Sequence, residues 1–85
     1  MQLTKDSIAT AVRESLAEIL EAPLAEIPQD ADLKQDLDID SLQQLELVGM
    51  LEERFGVFLD ADDLSELGSI QEMAGRASHK LGLPG

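Results

Sequence analysis

An acidic run near the middle of the chain, Asp36-Leu37-Asp38-Ile39-Asp40-Ser41-Leu42, holds the residue types most able to do chemistry. Its three carboxylates at alternate positions could ligate a cation. The hydroxyl of Ser41 could attack a substrate or accept a covalent group. Each of these chemistries requires companions at fixed spacings, which the rest of the chain must supply.

The spacing of the carboxylates argues against a calcium-binding loop. A loop of the EF-hand type that starts at Asp36 would place acids at its first, third and fifth positions. Its sixth position requires glycine and holds Ser41, and its twelfth requires glutamate and holds Leu47. A start at Asp30 fits worse, because it puts Lys34 at the fifth position. No metal site is predicted.

Catalytic companions for Ser41 are missing as well. The one histidine, His79, is distant in sequence and falls near the predicted end of the last helix, where a cation suits the helix dipole. The chain has no cysteine, no glycine-rich phosphate loop and few basic residues. We therefore predict a non-catalytic protein in which Ser41 is an attachment point and not a nucleophile of the protein's own.

Charge dominates the composition of this small protein. Its 85 residues include 18 Asp and Glu against 6 Lys and Arg, which gives a formal net charge of −12. Such a field repels nucleic acid and anionic lipid and favours basic partner surfaces. No apolar run is long enough to cross a bilayer, and charges interrupt the stretch where a signal peptide would lie. We expect a cytoplasmic monomer that neither binds nucleic acid nor inserts into membranes.

Apolar residues at helical spacing predict an all-α four-helix bundle, with three longer helices and one short third helix. The first helix is expected over residues 5–21, between Thr4 as N-cap and Pro23. Its apolar stripe consists of Ile8, Val12, Leu16, Ile19 and Leu20. The long loop over residues 22–40 is expected to be ordered, with a helical turn near residues 32–35. Its anchors to the core would be Leu24, Ile27, Leu33, Leu37 and Ile39.

The second helix is expected to place Ser41 in its first turn. Asp40 as N-cap and Gln43 three residues later form an acidic capping box, and Gly56 suits a left-handed C-cap. The inward face would consist of Gln44, Leu47, Val48, Leu51 and Phe55. The outward face would consist of Leu42, Glu46, Gly49 and Glu53.

Two further helices complete the prediction. A short acidic helix over residues 59–64 would be capped by Asp60, and a last helix would begin at Ser69 with Glu72 as its capping-box partner. The stripe of the last helix consists of Ile70, Met73, Ala74, Ala77 and Leu81. Residues 1–85 are expected to form one free-standing domain, with a core of about residues 5–82 and a frayed tail over 83–85.

The residues around Ser41 resemble the acyl carrier protein family, in which an L-G-x-D-S-L-like motif opens the second of four helices. The matching residues are Leu37, Asp40, Ser41 and Leu42, and the resemblance extends over residues 5–82. Three positions depart from the family pattern: Asp38 replaces a glycine, Gln43 replaces an acid common in fatty-acid carriers, and Asp60 replaces a proline. The first departure suggests a loop conformation that tolerates a side chain.

The resemblance implies that Ser41 carries a 4′-phosphopantetheine arm whose thiol holds an acyl group as a thioester. A phosphopantetheinyl transferase would attach the arm from coenzyme A with magnesium. For Asp40 two roles stay open: a helix cap alone, or a helix cap that also helps to bind that metal. A helix N-terminus favours such a phosphodiester. The implied docking face for basic partner enzymes comprises Leu42, Glu46, Gly49 and Glu53. Second-rank candidates, for which a solvated acidic face is the simpler interpretation, are Glu52, Asp60, Asp62 and Asp63.

By the same resemblance, the protein would carry acyl intermediates of fatty-acid-like or polyketide biosynthesis. Its partners would include acyl-activating, acyltransferase and ketosynthase-type enzymes. Two alternatives stay open: an aminoacyl or peptidyl carrier of nonribosomal peptide synthesis, and an acidic helical interaction module without a prosthetic group. For Gly49, which weakens a helix interior, partner contact and close helix packing are both open explanations.

Overall fold

Three α-helices and one 3₁₀ turn form the described part of the chain. The computed structural model describes residues 3–60, 63 and 68–83. Its elements are α1 (Lys5–Leu20), a 3₁₀ turn (Leu24–Glu26), α2 (Ser41–Phe55) and α3 (Ile70–Lys80). Within these residues the secondary structure is helical and contains no strand, so the all-α prediction is confirmed. Three of the six residues of the short helix predicted over residues 59–64, namely 61, 62 and 64, lie outside the described residues.

The first helix begins with a capping box formed by Thr4 and Ser7. The Thr4 hydroxyl accepts a 3.1 Å hydrogen bond from the Ser7 amide, and the Ser7 hydroxyl accepts one of 2.9 Å from the Thr4 amide. At the other end, Glu21 adopts a left-handed conformation and donates its amide to the carbonyls of Ala17 and Glu18. The predicted Thr4 cap is therefore confirmed, and the helix ends one residue earlier than predicted.

The core is aliphatic and is built around α1, which packs against both α2 and α3. The predicted stripes supply most of its buried residues: Ile8, Val12 and Leu16 from α1, Leu47, Val48 and Leu51 from α2, and Ile70, Met73, Ala74 and Ala77 from α3. Leu83, which was predicted to lie in a frayed tail, instead packs against this core, and its amide donates to the Ser78 carbonyl at 3.0 Å. That part of the prediction is wrong, because the chain after α3 turns back onto the bundle.

The loop between α1 and α2 is ordered, as predicted, and three of its five predicted apolar anchors are buried in the core. Ile27, Leu33 and Ile39 are buried, and Leu37 is partly buried. Leu24 is 40% exposed, so its predicted role as an anchor is wrong. Arg13 of α1 holds this end of the loop instead, because its guanidinium donates to the Ile27 carbonyl at 2.6 and 3.1 Å.

The second half of the loop is joined to the start of α3 by backbone hydrogen bonds. The Leu33 amide donates to the Gly68 carbonyl at 2.8 Å, and the Ile70 amide donates to the Ala31 carbonyl at 3.0 Å. The Ile39 amide then donates to the Leu33 carbonyl at 2.9 Å. These bonds position the residues that immediately precede Ser41.

Two carboxylates in this loop serve its own backbone. The Asp32 side chain accepts hydrogen bonds from the amides of Lys34 and Gln35, and the Asp36 side chain accepts one from the Asp32 amide. Such bonds favour a turn, which agrees with the helical turn predicted near residues 32–35. The same bonds engage these acids in local structure.

Candidate functional site

Ser41 is the first residue of α2, and its side chain is exposed. The preceding residue, Asp40, caps the helix: its carboxylate accepts a 2.8 Å hydrogen bond from the Gln43 amide. The Gln43 side chain returns a bond by accepting from the Asp40 amide at 3.1 Å. The predicted capping box is confirmed, and it places Ser41 on a helix start of defined geometry.

The surroundings of Ser41 suit a covalently attached phosphate group. No hydrogen bond among the described residues uses the Ser41 hydroxyl or the amides of Ser41 and Leu42. Unpaired amides at a helix N-terminus, together with the positive end of the helix dipole, favour an anion. A phosphodiester on Ser41 would lie beside these donors, so the residues fit a 4′-phosphopantetheine group.

The loop before Ser41 contains a residue in the left-handed region. Asp38 has φ of +53°, a value that glycine adopts without strain and that aspartate tolerates better than most other residues. The backbone here is one that favours glycine, and an aspartate nonetheless occupies it, which agrees with a loop conformation that tolerates a side chain. Ile39, which follows, is buried and holds the loop against the core.

The outward face of α2 extends from Ser41 along the helix. Leu42, Glu46, Gly49 and Glu53 are all exposed, as the helical spacing predicted, and Glu52 is exposed beside them. Sequence reasoning missed Leu45, which is 60% exposed and lies next to Leu42, itself 65% exposed. The signal for it was present, because Leu45 falls outside the inward stripe of α2 and is nonetheless apolar.

Asp63 is not part of a solvated acidic face. Its side chain is only 9% exposed and accepts 2.9 Å bonds from Arg76 and from Lys80 of α3. The Lys80 ammonium, with Arg76 and the Asp60 amide, holds the pKa of the Asp63 carboxyl well below its usual range. Asp63 in turn raises the pKa of Lys80. The solvated-face interpretation of Asp63 is therefore wrong, and Asp62 lies outside the described residues.

Metal-ligating groupings are not found in the part of the chain that the structure describes. Among residues 3–60, 63 and 68–83, no three His, Cys, Asp or Glu side chains are grouped so that they could hold a metal ion. His79 lies in the last turn of α3, as predicted, and is exposed. None of the described helices is both long and apolar enough to span a bilayer.

Comparison with known proteins gives consistent matches. Residues 10–77 match the family described as "Phosphopantetheine attachment site". Polyketide-8 synthase acyl carrier protein 2 of Streptomyces avermitilis is 39% identical over 71 residues, which are 84% of this chain and 82% of that protein. The acyl carrier protein of Acidothermus cellulolyticus is 33% identical over 70 residues, 82% of this chain and 83% of that one. The acyl carrier protein of an Exiguobacterium species is 32% identical over 79 residues, 93% of this chain and 100% of that one.

An exposed serine at a capped helix start, on a small acidic helical fold, fits a carrier protein that other enzymes modify. The match over residues 10–77 and the relatives show that the chain belongs to the acyl carrier protein family. The protein is a non-catalytic carrier, and its cofactor is 4′-phosphopantetheine. The alternative of an interaction module without a prosthetic group is therefore wrong.

Proposed function

We propose that Ser41 carries the 4′-phosphopantetheine arm and that acyl intermediates travel on it as thioesters. The observation that carries this proposal is the exposed hydroxyl of Ser41 at the first position of α2, free of any partner among the described residues. The bound arm supplies a thiol, which the chain itself lacks because it has no cysteine. Residues 10–77, which match the attachment family, include this serine.

The residues next to Ser41 have distinct roles in this proposal. The amides of Ser41 and Leu42 stabilise the phosphodiester at the helix N-terminus. The transferase must remove the proton of the hydroxyl, since the described residues place no base beside it. Asp40 has one carboxylate oxygen engaged with Gln43, and its other oxygen is available to the magnesium ion that the transferase brings.

The metabolic assignment is to fatty-acid-like or polyketide biosynthesis, and one comparison favours a polyketide system. The relative from Streptomyces avermitilis is named as a polyketide synthase carrier and shares 39% identity with this chain. The neutral Gln43 stands where fatty-acid carriers often have an acid, in agreement with that assignment. We propose that the enzymes that load and use Ser41 are of the acyl-activating, acyltransferase and ketosynthase types.

These enzymes would dock on the exposed side of α2. The proposed docking face comprises Leu42, Leu45, Glu46, Gly49, Glu52 and Glu53. The leucines lie nearest Ser41 and would contact an apolar part of the partner, while the glutamates would steer its basic residues. A formal charge of −12 on the carrier supports such steering and also disfavours self-association, which supports a monomer. We propose a cytoplasmic location for this monomer.

A four-helix bundle in a single domain over residues 1–85 remains our proposed architecture. Asp60 and Asp63 support the short third helix, because each accepts a hydrogen bond from the amide of the other, at 3.0 and 3.1 Å. This reciprocal pair has the form of a capping box, which marks a helix start. Residues 61–62 and 64–67 lie outside the described residues.

Intact-mass measurement tests the attachment site. The purified protein is incubated with coenzyme A, magnesium and a broad-specificity phosphopantetheinyl transferase, in parallel with Ser41→Ala and with a known carrier protein. We expect one phosphopantetheine addition on the wild type and none on Ser41→Ala. An addition that persists in Ser41→Ala, or an unmodified wild type beside a modified known carrier, would contradict the proposal.

A further inference from the structure

A small cavity lies between the start of α1 and the last turns of α3, and its volume is about 220 Å³. The residues that line this α1–α3 cavity are Lys5, Gly75, Ser78, His79 and Leu83. Gly82, which has φ of +74°, turns the chain after α3. The Leu83 amide then donates to the Ser78 carbonyl at 3.0 Å, so the chain beyond α3 forms an apolar wall of the cavity.

Ser78 brings to the cavity a hydroxyl group that the fold itself does not use. The residue is only 2% exposed, and its hydroxyl has no hydrogen-bond partner among the described residues. A serine inside a helix can bond to the carbonyl four residues before it, and this one does not. A buried hydroxyl without a partner costs free energy, and a ligand that accepts its hydrogen bond would offset that cost.

Lys5 supplies a positive charge at the same cavity. The nearby cations Arg76 and Lys80 each pair with Asp63 at 2.9 Å. Lys5, in contrast, takes part in no ion pair within residues 3–60, 63 and 68–83. Its side chain lies across α3, since a methyl group added at Gly75 would be 3.7 Å from the Lys5 Cε atom and 4.0 Å from Nζ. The ammonium is therefore available to an anion.

We propose that the α1–α3 cavity binds a carboxylate carried on a short apolar chain. The carboxylate accepts hydrogen bonds from the Lys5 ammonium and the Ser78 hydroxyl, and charge-assisted bonds of this kind are stronger than neutral ones. The apolar chain packs against Leu83 and the bare backbone of Gly75. His79, which is exposed and lines the same cavity, has a ring N–H that can donate as well.

These donors suit a singly charged carboxylate better than a phosphate. A doubly charged group would need more donors than one ammonium and one hydroxyl provide. It would also be repelled more strongly by a protein whose formal net charge is −12. The apolar wall formed by Leu83 favours a ligand that is part hydrocarbon.

The cavity is separate from the proposed attachment site. The loop before Ser41 is bonded to Gly68 at the start of α3, whereas Ser78 and Leu83 lie at its other end. The 11 residues of α3 extend over about 16 Å at the helical rise per residue. The cavity shares no residue with the docking face, so a bound carboxylate should leave Ser41 accessible to the transferase.

Titration with sodium butyrate, followed by amide NMR spectra at constant ionic strength, tests the inference. Butyramide, which has the same chain and no charge, is the control ligand. We expect butyrate to shift the amide signals of Gly75, Ser78, His79 and Leu83 in a saturable manner, and butyramide to shift them little. Blocked glutamate is titrated in parallel. Tighter binding of butyrate would assign the site to a free acid, and tighter binding of blocked glutamate to a carboxylate side chain of a partner.

Three variants identify the groups that bind the carboxylate. Lys5→Gln removes the charge and should raise the Kd for butyrate about tenfold. Ser78→Ala removes the hydroxyl and should raise it about threefold. Lys34→Gln makes the same charge change on an exposed lysine outside the cavity and should bind as the wild type does. Without butyrate, Ser78→Ala should melt no lower than the wild type, because it removes a buried group that has no partner among the described residues.

Three outcomes would overturn the inference: no shift of the cavity signals, equal shifts with butyramide, or an unchanged Kd in both Lys5→Gln and Ser78→Ala. Arm transfer to the wild type is measured in the same samples and should proceed at the same rate with and without butyrate. The inference can therefore fail while Ser41 is modified normally, and a failure of Ser41 modification would leave the butyrate result intact.

Discussion

Asp40 and Gln43 exchange hydrogen bonds across Ser41: the Gln43 amide donates to the Asp40 carboxylate at 2.8 Å, and the Asp40 amide donates to the Gln43 side-chain oxygen at 3.1 Å. The residues on both sides of the serine are thereby held in the geometry of a helix start. Only one oxygen of the Asp40 carboxylate takes part in this exchange. The same residue can therefore cap the helix and present a negative charge next to the hydroxyl.

Substitution of Asp40 separates these two roles. Asp40→Ala removes the cap and should lower the free energy of unfolding by about 1 kcal/mol, whereas Asp40→Asn keeps a good cap and should change it little. If the charge assists the transferase metal, both variants should nevertheless be modified more slowly than the wild type. Chemical denaturation gives the first quantity, and intact-mass kinetics gives the second. A normally modified Asp40→Asn would show that Asp40 only caps the helix.

Charge reversal on the docking face should slow association with a basic partner. Glu46→Lys and Glu53→Lys each change an exposed residue of α2, so neither should unfold the domain. Stopped-flow association with the transferase at low salt should show a slower on-rate for both. The difference should vanish near 1 M salt, where the screening length falls to about 3 Å. Glu26→Lys carries the same charge change on an exposed residue outside α2 and should associate normally. Equal slowing of all three variants would assign the effect to net charge alone.

The ion pairs of Asp63 should make stability depend on pH at both ends of the scale. The pKa of Asp63 is lowered in the folded protein. The carboxylate therefore contributes to the stability of the fold above its ordinary pKa of 3.8, and this contribution is lost as the pH falls further. Because the pKa of Lys80 is raised, its contribution is present below 10.5 and is lost as the pH rises further.

Thermal melting across pH tests both directions. Asp63→Asn should melt below the wild type at neutral pH, and this difference should shrink below pH 3.8. Lys80→Gln should also melt below the wild type at neutral pH, and the difference in melting temperature should disappear as the pH rises above 10.5. A difference for Asp63→Asn that is constant from neutral to acidic pH would mean that packing, rather than charge, connects Asp63 to α3.

The Arg13 side chain should contribute more to the free energy of unfolding than an ordinary surface arginine does. Its guanidinium donates two bonds to the buried Ile27 and one of 3.3 Å to the Leu24 carbonyl. Hydrogen bonds from a charged group to a partner that is otherwise left unpaired are worth about 1.5–3 kcal/mol, so Arg13→Ala should lower the free energy of unfolding by about 2 kcal/mol.

A surface arginine of α2 provides the control for Arg13. Arg54 pairs with Glu14 at 3.4 Å, and both side chains are about half exposed. Exposed pairs contribute roughly 0–1 kcal/mol, so Arg54→Ala should cost little. Urea unfolding of the two variants measures the contrast. Equal losses would mean that the carbonyl bonds of Arg13 add nothing beyond an exposed ion pair.

The features that the sequence predicted correctly are local ones. Thr4, Asp40 and Ser69 each accept a hydrogen bond from a backbone amide three residues further on, and Gly56 adopts the expected left-handed cap. A helix cap depends on a side chain that hydrogen-bonds to a nearby backbone amide, so both partners are close together in the sequence. Apolar spacing likewise predicted the buried faces, because helical periodicity determines which residues share a side.

The features that the sequence missed depend on distant partners. From the sequence, Asp63 is interpreted as one more solvated acid. In the structure, Arg76 and Lys80 of α3 each lie 2.9 Å from its carboxylate. From the sequence, Leu24 is predicted to anchor the loop to the core. In the structure, Arg13 holds that part of the loop by donating to the carbonyls of Leu24 and Ile27, and the Leu24 side chain is exposed. Only the packed structure shows that Gly49 has space around it.

By itself the sequence predicted that Ser41 begins a helix and that Asp40 caps it, and the structure confirms both. Those conclusions follow from residue types and short spacings. Only the tertiary structure shows which acids are available to a partner. Some carboxylates already form ion pairs or hydrogen bonds with basic side chains and amides that folding brings next to them. The tertiary structure also showed that the loop before Ser41 is tied to the start of α3 through Leu33 and Gly68, since hydrogen bonds between distant segments exist only once the chain has folded.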